Sequence, residues 1–330
     1  MSRLEDEIAE IPVRLADVAV ANGAALADAG RRFAALPPPA IFTIARGTSD
    51  AVAGYAAYRL TQALGIPVGS FAPSLASLDG VRPRHAGLWT LAISQSGRSP
   101  DLVAAQDAFA AGGGVRIALV NDLDAPLALS ADLVLDQAAG EERSVAATKS
   151  FACSLMAIDL LAEALAGRGG GAAARCDAVG RAVAAAVKSG VDLQPLDGAA
   201  NAYVIGRGAS LPVAGEAALK LKETCGLHAE AISAAEVMHG PRAIAGRNLP
   251  VLGFAGPGPA GQSVVEALKA LAVQGSPTIL VTSDGLPEAI ASAAPVALIA
   301  AFYAALPALA RRRGMDPDRP PSLTKVTLTN

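Results

Sequence analysis

A short apolar run, Leu88 to Ile93, leads directly into Ser94-Gln95-Ser96-Gly97-Arg98-Ser99-Pro100-Asp101, and a helical pattern follows. A hydroxyl-rich turn ahead of a helix N-terminus offers backbone N–H groups, O–H donors and a favourable dipole to a dianion. Phosphate is the ligand such a turn suits. Ordinary N-capping needs one Ser or Asp, whereas Ser94, Gln95, Ser96 and Ser99 crowd into a single turn. Thr48 and Ser49 follow an earlier run, Ala40 to Ile44, and are expected beside that turn at the carboxyl edge of one sheet.

A second group of residues could move protons. The stretch Gly215-Glu216-Ala217-Ala218-Leu219-Lys220-Leu221-Lys222-Glu223 is helical by composition. Glu216, Lys220 and Glu223 stand at i, i+4 and i+7, so two carboxylates and an amine line one face. A solvated, salt-bridged face has the same spacing, and spacing alone leaves both readings open. Of three histidines, His85 reads as a surface loop residue, and His228 is open between a buried structural role and a functional one. His239 precedes Gly240-Pro241 on a turn, and an imidazole so placed is suited to proton transfer. Glu236-x-x-His239 has no second pair to complete a carboxylate metal site, so no metal is expected. Lys325 lies in an apolar tail free of acids, which is expected to pack onto the body of the protein.

These groups need elements to hold them. Short runs rich in β-branched residues alternate with alanine-rich helical patterns, which is the rhythm of βαβ units in an α/β fold with parallel sheets. The expected strands are Ala40 to Ile44, Leu88 to Ile93, Val115 to Val120 and Leu133 to Leu135, then Ala202 to Ile205, Leu249 to Phe254, Thr278 to Val281 and Pro295 to Ile299. Ile41 to Leu60 aligns on Ala202 to Leu221 at constant offset, sharing Arg-Gly-x-Ser and Val-Ala-Gly-x-Ala-Ala. One module present twice explains this, with the glycine-rich stretch Gly167 to Gly171 near the boundary. Where the second copy carries its charged helix, the first has Tyr55 and Tyr58, so a charged face at the junction of the modules calls for a polar ligand. The strand preceding Gly256-Pro257-Gly258-Pro259 lacks hydroxyls after it, and only the first module is expected to hold phosphate.

Composition removes other classes. The chain has 330 residues, 52% of them apolar, enough for two cores rather than disorder. A net charge of -3 without a basic stripe argues against a nucleic-acid partner. The uncharged stretch Ala289 to Ala310 is interrupted by Pro295 and Pro307 and is dominated by alanine, so a buried segment is expected there rather than a membrane span. The mixed charge of the first residues is unlike a signal peptide. Three scattered cysteines without Cys-x-x-Cys spacing suit a reducing cytoplasm. Gly206-Arg207-Gly208 has Leu211 where a dinucleotide fingerprint needs glycine, so no nucleotide cofactor is expected.

Taken together, Arg46-Gly47-Thr48-Ser49, Ser94-Gln95-Ser96-Gly97, Val145-Ala146-Ala147-Thr148-Lys149, Ala218-Leu219-Lys220-Leu221-Lys222-Glu223, His228-Ala229-Glu230, His239-Gly240-Pro241 and Leu323-Thr324-Lys325 resemble the double sugar-isomerase (SIS) domain family. That family includes the isomerase portion of glucosamine-6-phosphate synthase and its stand-alone relatives. The resemblance implies two duplicated, doubly wound, flavodoxin-like domains. These are placed at 36–170 and 199–315, with an N-terminal helix over 1–35, a linker helix over 171–198 and a tail over 316–330 that closes the active site. It further implies that Thr48, Ser49, Ser94, Gln95, Ser96 and Ser99 hold a sugar phosphate, with Val145 contributing backbone. The position of Glu223 moves a proton between C1 and C2 with support from Glu216 and Lys220, that of His239 opens the ring, and Lys325 attends the open-chain carbonyl. His239 is implied to reach into a neighbouring subunit's site, which makes a homodimer with shared active sites. No cofactor is implied. Ser99 stands where the synthase has threonine. Ser2-Arg3 lead straight into the sugar module, without the glutaminase cysteine, so glutamine is not the expected nitrogen source. The loops Pro73-Ser74-Leu75-Ala76-Ser77 and Gly140-Glu141-Glu142-Arg143-Ser144 are most similar to those of stand-alone glucosamine-6-phosphate deaminases. A deglycase of phosphorylated fructosamines is the alternative enzyme. A sugar-phosphate sensor without turnover is the alternative from another class.

Overall fold

The computed structural model describes all residues except Met1, Asp284, Thr324 and Val326–Asn330. In chain order the elements are α1 (Arg3–Ala35), β1 (Ile41–Ile44), α2 (Thr48–Leu64), β2 (Val68–Ser70), α3 (Pro73–Ser77), β3 (Trp89–Ser94), α4 (Pro100–Asp107), β4 (Arg116–Val120), α5 (Pro126–Leu129), β5 (Leu133–Asp136), α6 (Lys149–Leu165) and α7 (Ala172–Ser189). Then come β6 (Asn201–Gly206), α8 (Leu211–Cys225), β7 (His228–Ser233), β8 (Val251–Ala255), α9 (Gly258–Val273), β9 (Thr278–Thr282) and α10 (Ala294–Arg312).

Two sheets result, both parallel throughout. One has the order β2-β1-β3-β4-β5 and the other β7-β6-β8-β9. Parallel neighbours cannot be joined by a tight hairpin, so each pair needs a crossover, and the alanine-rich segments supply the helices. Every residue of β3 and of β8 is buried, as strands covered on both faces must be. Helix ends follow local chemistry. Pro100 opens α4 at a position where a missing N–H costs nothing. Gly65 and Gly226 close α2 and α8 in the left-handed conformation, donating their N–H to Thr61 O and Leu221 O.

The chain forms two compact units. The first comprises the described residues of Met1–Pro12, Glu142–Ala152 and Ala178–Lys325; the second has Val13–Glu141 and Cys153–Asp177. The five-stranded sheet lies in the second unit, around Ile44, Ala92, Val120 and Phe109. The four-stranded sheet lies in the first, around Ile205, Val251, Val264 and Leu271. Helices α1, α6 and α7 each contribute residues to both units.

One expectation needs correcting, and one open reading closes. Pro295 to Ile299 is the start of helix α10 rather than a strand: Pro295 sits in its first turn, and the run is apolar on every side because Val296, Leu298, Ile299, Phe302 and Tyr303 are all buried. Helix α10 and the turn before it are long and apolar enough to cross a membrane by length and composition, but this helix is mostly buried within the protein. His228 is not a buried structural residue. It stands exposed at the start of edge strand β7, with Nδ1 3.1 Å from Asn201 Oδ1. Two strands also escaped the sequence reading, the edge strands β2 and β7. Of the expected tail, Thr324 and Val326–Asn330 lie outside the described residues.

Candidate active site

The phosphate candidate is built in the second unit. β1 and β3 are neighbours in an order of 2-1-3-4-5, so the loops leaving their carboxyl ends flank the point where the winding reverses, where open α/β sheets bind ligands. From β1 come Thr48 and Ser49, half-buried at the start of α2. From β3 come Ser94, buried, and Gln95, Ser96 and Ser99, half-buried ahead of α4. The structure therefore places all six of these sequence-selected residues at one sheet edge. Their turn is tightly specified. Gly97 has φ of 61°, and a Cβ there would lie 2.6 Å from the Cβ of Ala125. Its N–H donates to Ser94 Oγ at 3.1 Å. Arg46 Nε donates to buried Asp101 Oδ2 at 2.5 Å, tying the β1 loop to the first turn of α4. In the sequence Arg46 stands out as a letter of the repeat and of the family motif, and its pairing with Asp101 is visible only in the fold.

The proton-transfer candidate is built in the first unit, on α8. Glu216 and Lys220 have 0% and 1% of their side chains exposed, which excludes the solvated-face reading. Lys220 Nζ lies 2.5 Å from Glu223 Oε2 and 3.4 Å from Glu216 Oε1. Tyr303, on α10, donates its hydroxyl to Glu216 Oε1 at 2.7 Å. Burial works against the Lys220 charge, but the charges of Glu216 and Glu223 outweigh it and hold the ammonium above its ordinary pKa. Burial, and then the Glu216 charge, push the Tyr303 phenol well above its ordinary value, so it stays a donor. Glu223 differs from its neighbours in keeping 23% of its side chain exposed. The result is a carboxylate held in place by a permanent cation and reachable by a ligand.

The remaining expected residues are spread through the same unit. Val145 is half-buried in the loop between β5 and α6, and that loop is braced by acids. Glu7 of α1 accepts the N–H groups of Arg143 and Ser144, Glu10 pairs with Lys149 at 2.8 Å, and Glu142 accepts from Thr148 and Ser150. Lys325 Nζ reaches Glu142 Oε2 at 3.2 Å. His239 is exposed after a short 3-10 turn rather than set into the buried network. Sequence reasoning missed Tyr303, Glu7 and Glu10, since their partners lie far away in the chain and no local spacing marks them. Among the described residues, no group of three or more His, Cys, Asp or Glu side chains is placed to hold a metal ion.

The family model of the SIS domain matches residues 37–164 and 196–302. The chain is 32% identical over 270 residues to a glutamine–fructose-6-phosphate aminotransferase [isomerizing] of Bradyrhizobium diazoefficiens, an alignment that covers 74% of this chain and 44% of that protein. The chain spans about half the length of the curated relatives it matches. Among solved structures, a proposed phosphosugar isomerase from Silicibacter pomeroyi DSS-3 superposes with a TM-score of 0.88 at 36% identity, covering 96% of this chain and all of that one. A glucosamine-6-phosphate deaminase from Thermotoga maritima shares the fold at 20% identity, with a TM-score of 0.79 and 99% of this chain covered.

Proposed function

The chain belongs to the SIS domain family, and from that membership we propose that it is an amino-sugar phosphate deaminase and isomerase. Its substrate in this reading is glucosamine 6-phosphate and its products are fructose 6-phosphate and ammonia. The observation that carries the reading is buried Lys220 between Glu216 and Glu223, with Glu223 alone of the three still open to solvent. Aldose-to-ketose conversion needs a base that removes the C2 proton and returns it to C1, and a fixed, partly desolvated carboxylate suits that task. His239 opens the ring, Glu223 moves the proton to give a C2 imine, and water adds to that imine and releases ammonia. Lys325 steers the open-chain oxygen. The hydroxyls of Thr48, Ser49, Ser94, Ser96 and Ser99, the Gln95 amide and the Val145 backbone are assigned to the sugar phosphate. Free ammonia is mostly protonated at neutral pH and far scarcer than water, so mass action favours release over synthesis.

Incubating the purified protein with glucosamine 6-phosphate and measuring ammonia and fructose 6-phosphate tests the reading. Turnover of fructosamine 6-phosphates in its place transfers the chain to the deglycases. Binding without turnover of either makes it a sensor. We also propose a homodimer in which His239 serves the neighbouring site. Mixing inactive Glu223→Gln and His239→Ala subunits then restores part of the activity, and no recovery despite proven subunit exchange returns His239 to its own subunit. A cytoplasmic setting belongs to the same proposal, supported by the buried free thiols of Cys153, Cys176 and Cys225; fractionation that places the chain elsewhere removes it.

A further inference from the structure

Glu142 has 0% of its side chain exposed, and both of its oxygens are engaged. Oε1 accepts the N–H groups of Thr148 and Ser150 at 2.9 and 3.1 Å; Oε2 accepts the Ser150 hydroxyl at 2.6 Å and the Lys325 ammonium at 3.2 Å. A carboxylate so deep keeps its charge only when paired and hydrogen-bonded. Burial alone pushes the Glu142 pKa up, but the Lys325 charge and the Ser150 and Thr148 donors outweigh it, and the group lies below its ordinary value. Its charge is also felt by Lys220 and Tyr303, both in the α8 network. One acid thus meets three things: the loop that carries Val145, the end of the described C-terminal segment, and the field around the α8 face.

We propose that Glu142 is a positioning residue that sets the Lys325 ammonium and the 142–150 loop with a single carboxylate. A lysine side chain has four rotatable bonds, and a tail lysine left unpaired samples many placements. Pairing with a buried, fixed acid selects one of them. Through Oε1 the same acid fixes the loop, so loop and lysine are held in register. The proposal rests on the role given to Lys325 under the proposed function.

The test uses Glu142→Gln, which keeps the shape but turns an uncharged amide toward the ammonium, and Glu142→Asp, which keeps the charge on a shorter arm. Trypsin must take a lysine side chain into its own pocket to cut after it, so the rate of cleavage after Lys325 reads that side chain's freedom directly. In Glu142→Gln this cleavage is expected to rise about tenfold, the scale of losing one charge-assisted hydrogen bond, with Glu142→Asp between it and the wild type. Cleavage at other sites should not change. With substrate, Glu142→Gln should lower kcat more than it raises KM, and it should add nothing in a Lys325→Met background. Unchanged cleavage after Lys325 in a folded variant overturns the proposal, as do independent losses in the double variant. If Glu142→Gln does not fold, Glu142→Asp carries the cleavage comparison. If the wild type turns over no sugar phosphate, the proposed function falls, while the cleavage rates still decide whether Glu142 holds Lys325.

Discussion

The two copies of the repeat keep the same backbone and use it for different ends. At one constant offset, Phe42 pairs with Thr90 between β1 and β3 as Tyr203 pairs with Val251 between β6 and β8. Gly47 and Gly208 have φ of 57° and 59°, and Gly97 and Gly258 have 61° and 78°. The side chains then diverge. Ser49 is half-buried at the head of α2, whereas its counterpart Ser210 is buried and spends its hydroxyl on the carbonyls of Arg207 and Phe254. Where the first copy has Ser94, Gln95, Ser96 and Ser99, the second has Ala255, Gly256, Pro257 and Ala260.

The helices that follow diverge in the opposite sense. Arg59 of α2 corresponds to Lys220 of α8, and both are buried cations. Arg59 takes its acids from another helix: Asp159 at 2.7 Å and Glu163, both on α6, with Arg175 also on Asp159. Burial opposes the Arg59 charge, but Asp159 and then Tyr55 and Glu163 together outweigh it and hold its pKa above the ordinary value. Lys220 has acids on its own helix, and one of them keeps solvent access. In the first copy the charges join α2 to α6; in the second, one carboxylate keeps solvent access, and the proposed function assigns it the proton transfer. Duplication permits this division, because a fold needs only one copy of each function.

The largest effect expected from breaking the comparison is at Glu223. Glu223→Gln should slow exchange of the substrate C2 hydrogen with solvent deuterium by about a hundred- to ten-thousand-fold, the scale of a lost general base. Binding, followed by calorimetry, should hold, and normal exchange in this variant moves the base elsewhere. At the matching cation of the first copy, Arg59→Met leaves Asp159 and Glu163 without their central partner. It should cost about 3–5 kcal/mol of stability in denaturant unfolding. Its kcat per folded molecule should stay near wild type, and a specific loss of kcat gives α2 a part in the reaction.

A smaller pair of effects separates the serines. Ser49→Ala and Ser96→Ala should each weaken hexose 6-phosphate binding by about 1–2 kcal/mol, as for a hydrogen bond to a charged group, with little change in melting. Ser210→Ala should do the reverse, lowering stability by about 1 kcal/mol through its two carbonyl partners while leaving binding alone. Equal behaviour of Ser49 and Ser210 would erase the distinction between the copies.

The sequence by itself determined what short-range rules can reach. Most of the strands, the hydroxyl turn after β3 and the one-sided spacing of Glu216, Lys220 and Glu223 rest on patterns within a few residues of one another, and the repeat rests on the likeness of two such stretches. It failed where local pattern is ambiguous or weak. Pro295 to Ile299 reads equally as a buried strand or the buried start of a helix, since both are apolar on every side. β2 has only three residues, and β7 carries His228 and Glu230 because an edge strand turns charge to solvent. Tertiary structure alone decided whether the α8 charges were buried or solvated, because burial depends on α10 and Tyr303, which lie far along the chain. The pairing of Lys325 with Glu142 was decided there too, across 183 residues of sequence. A buried charge selects its partner by proximity and low dielectric, and both are properties of the folded chain.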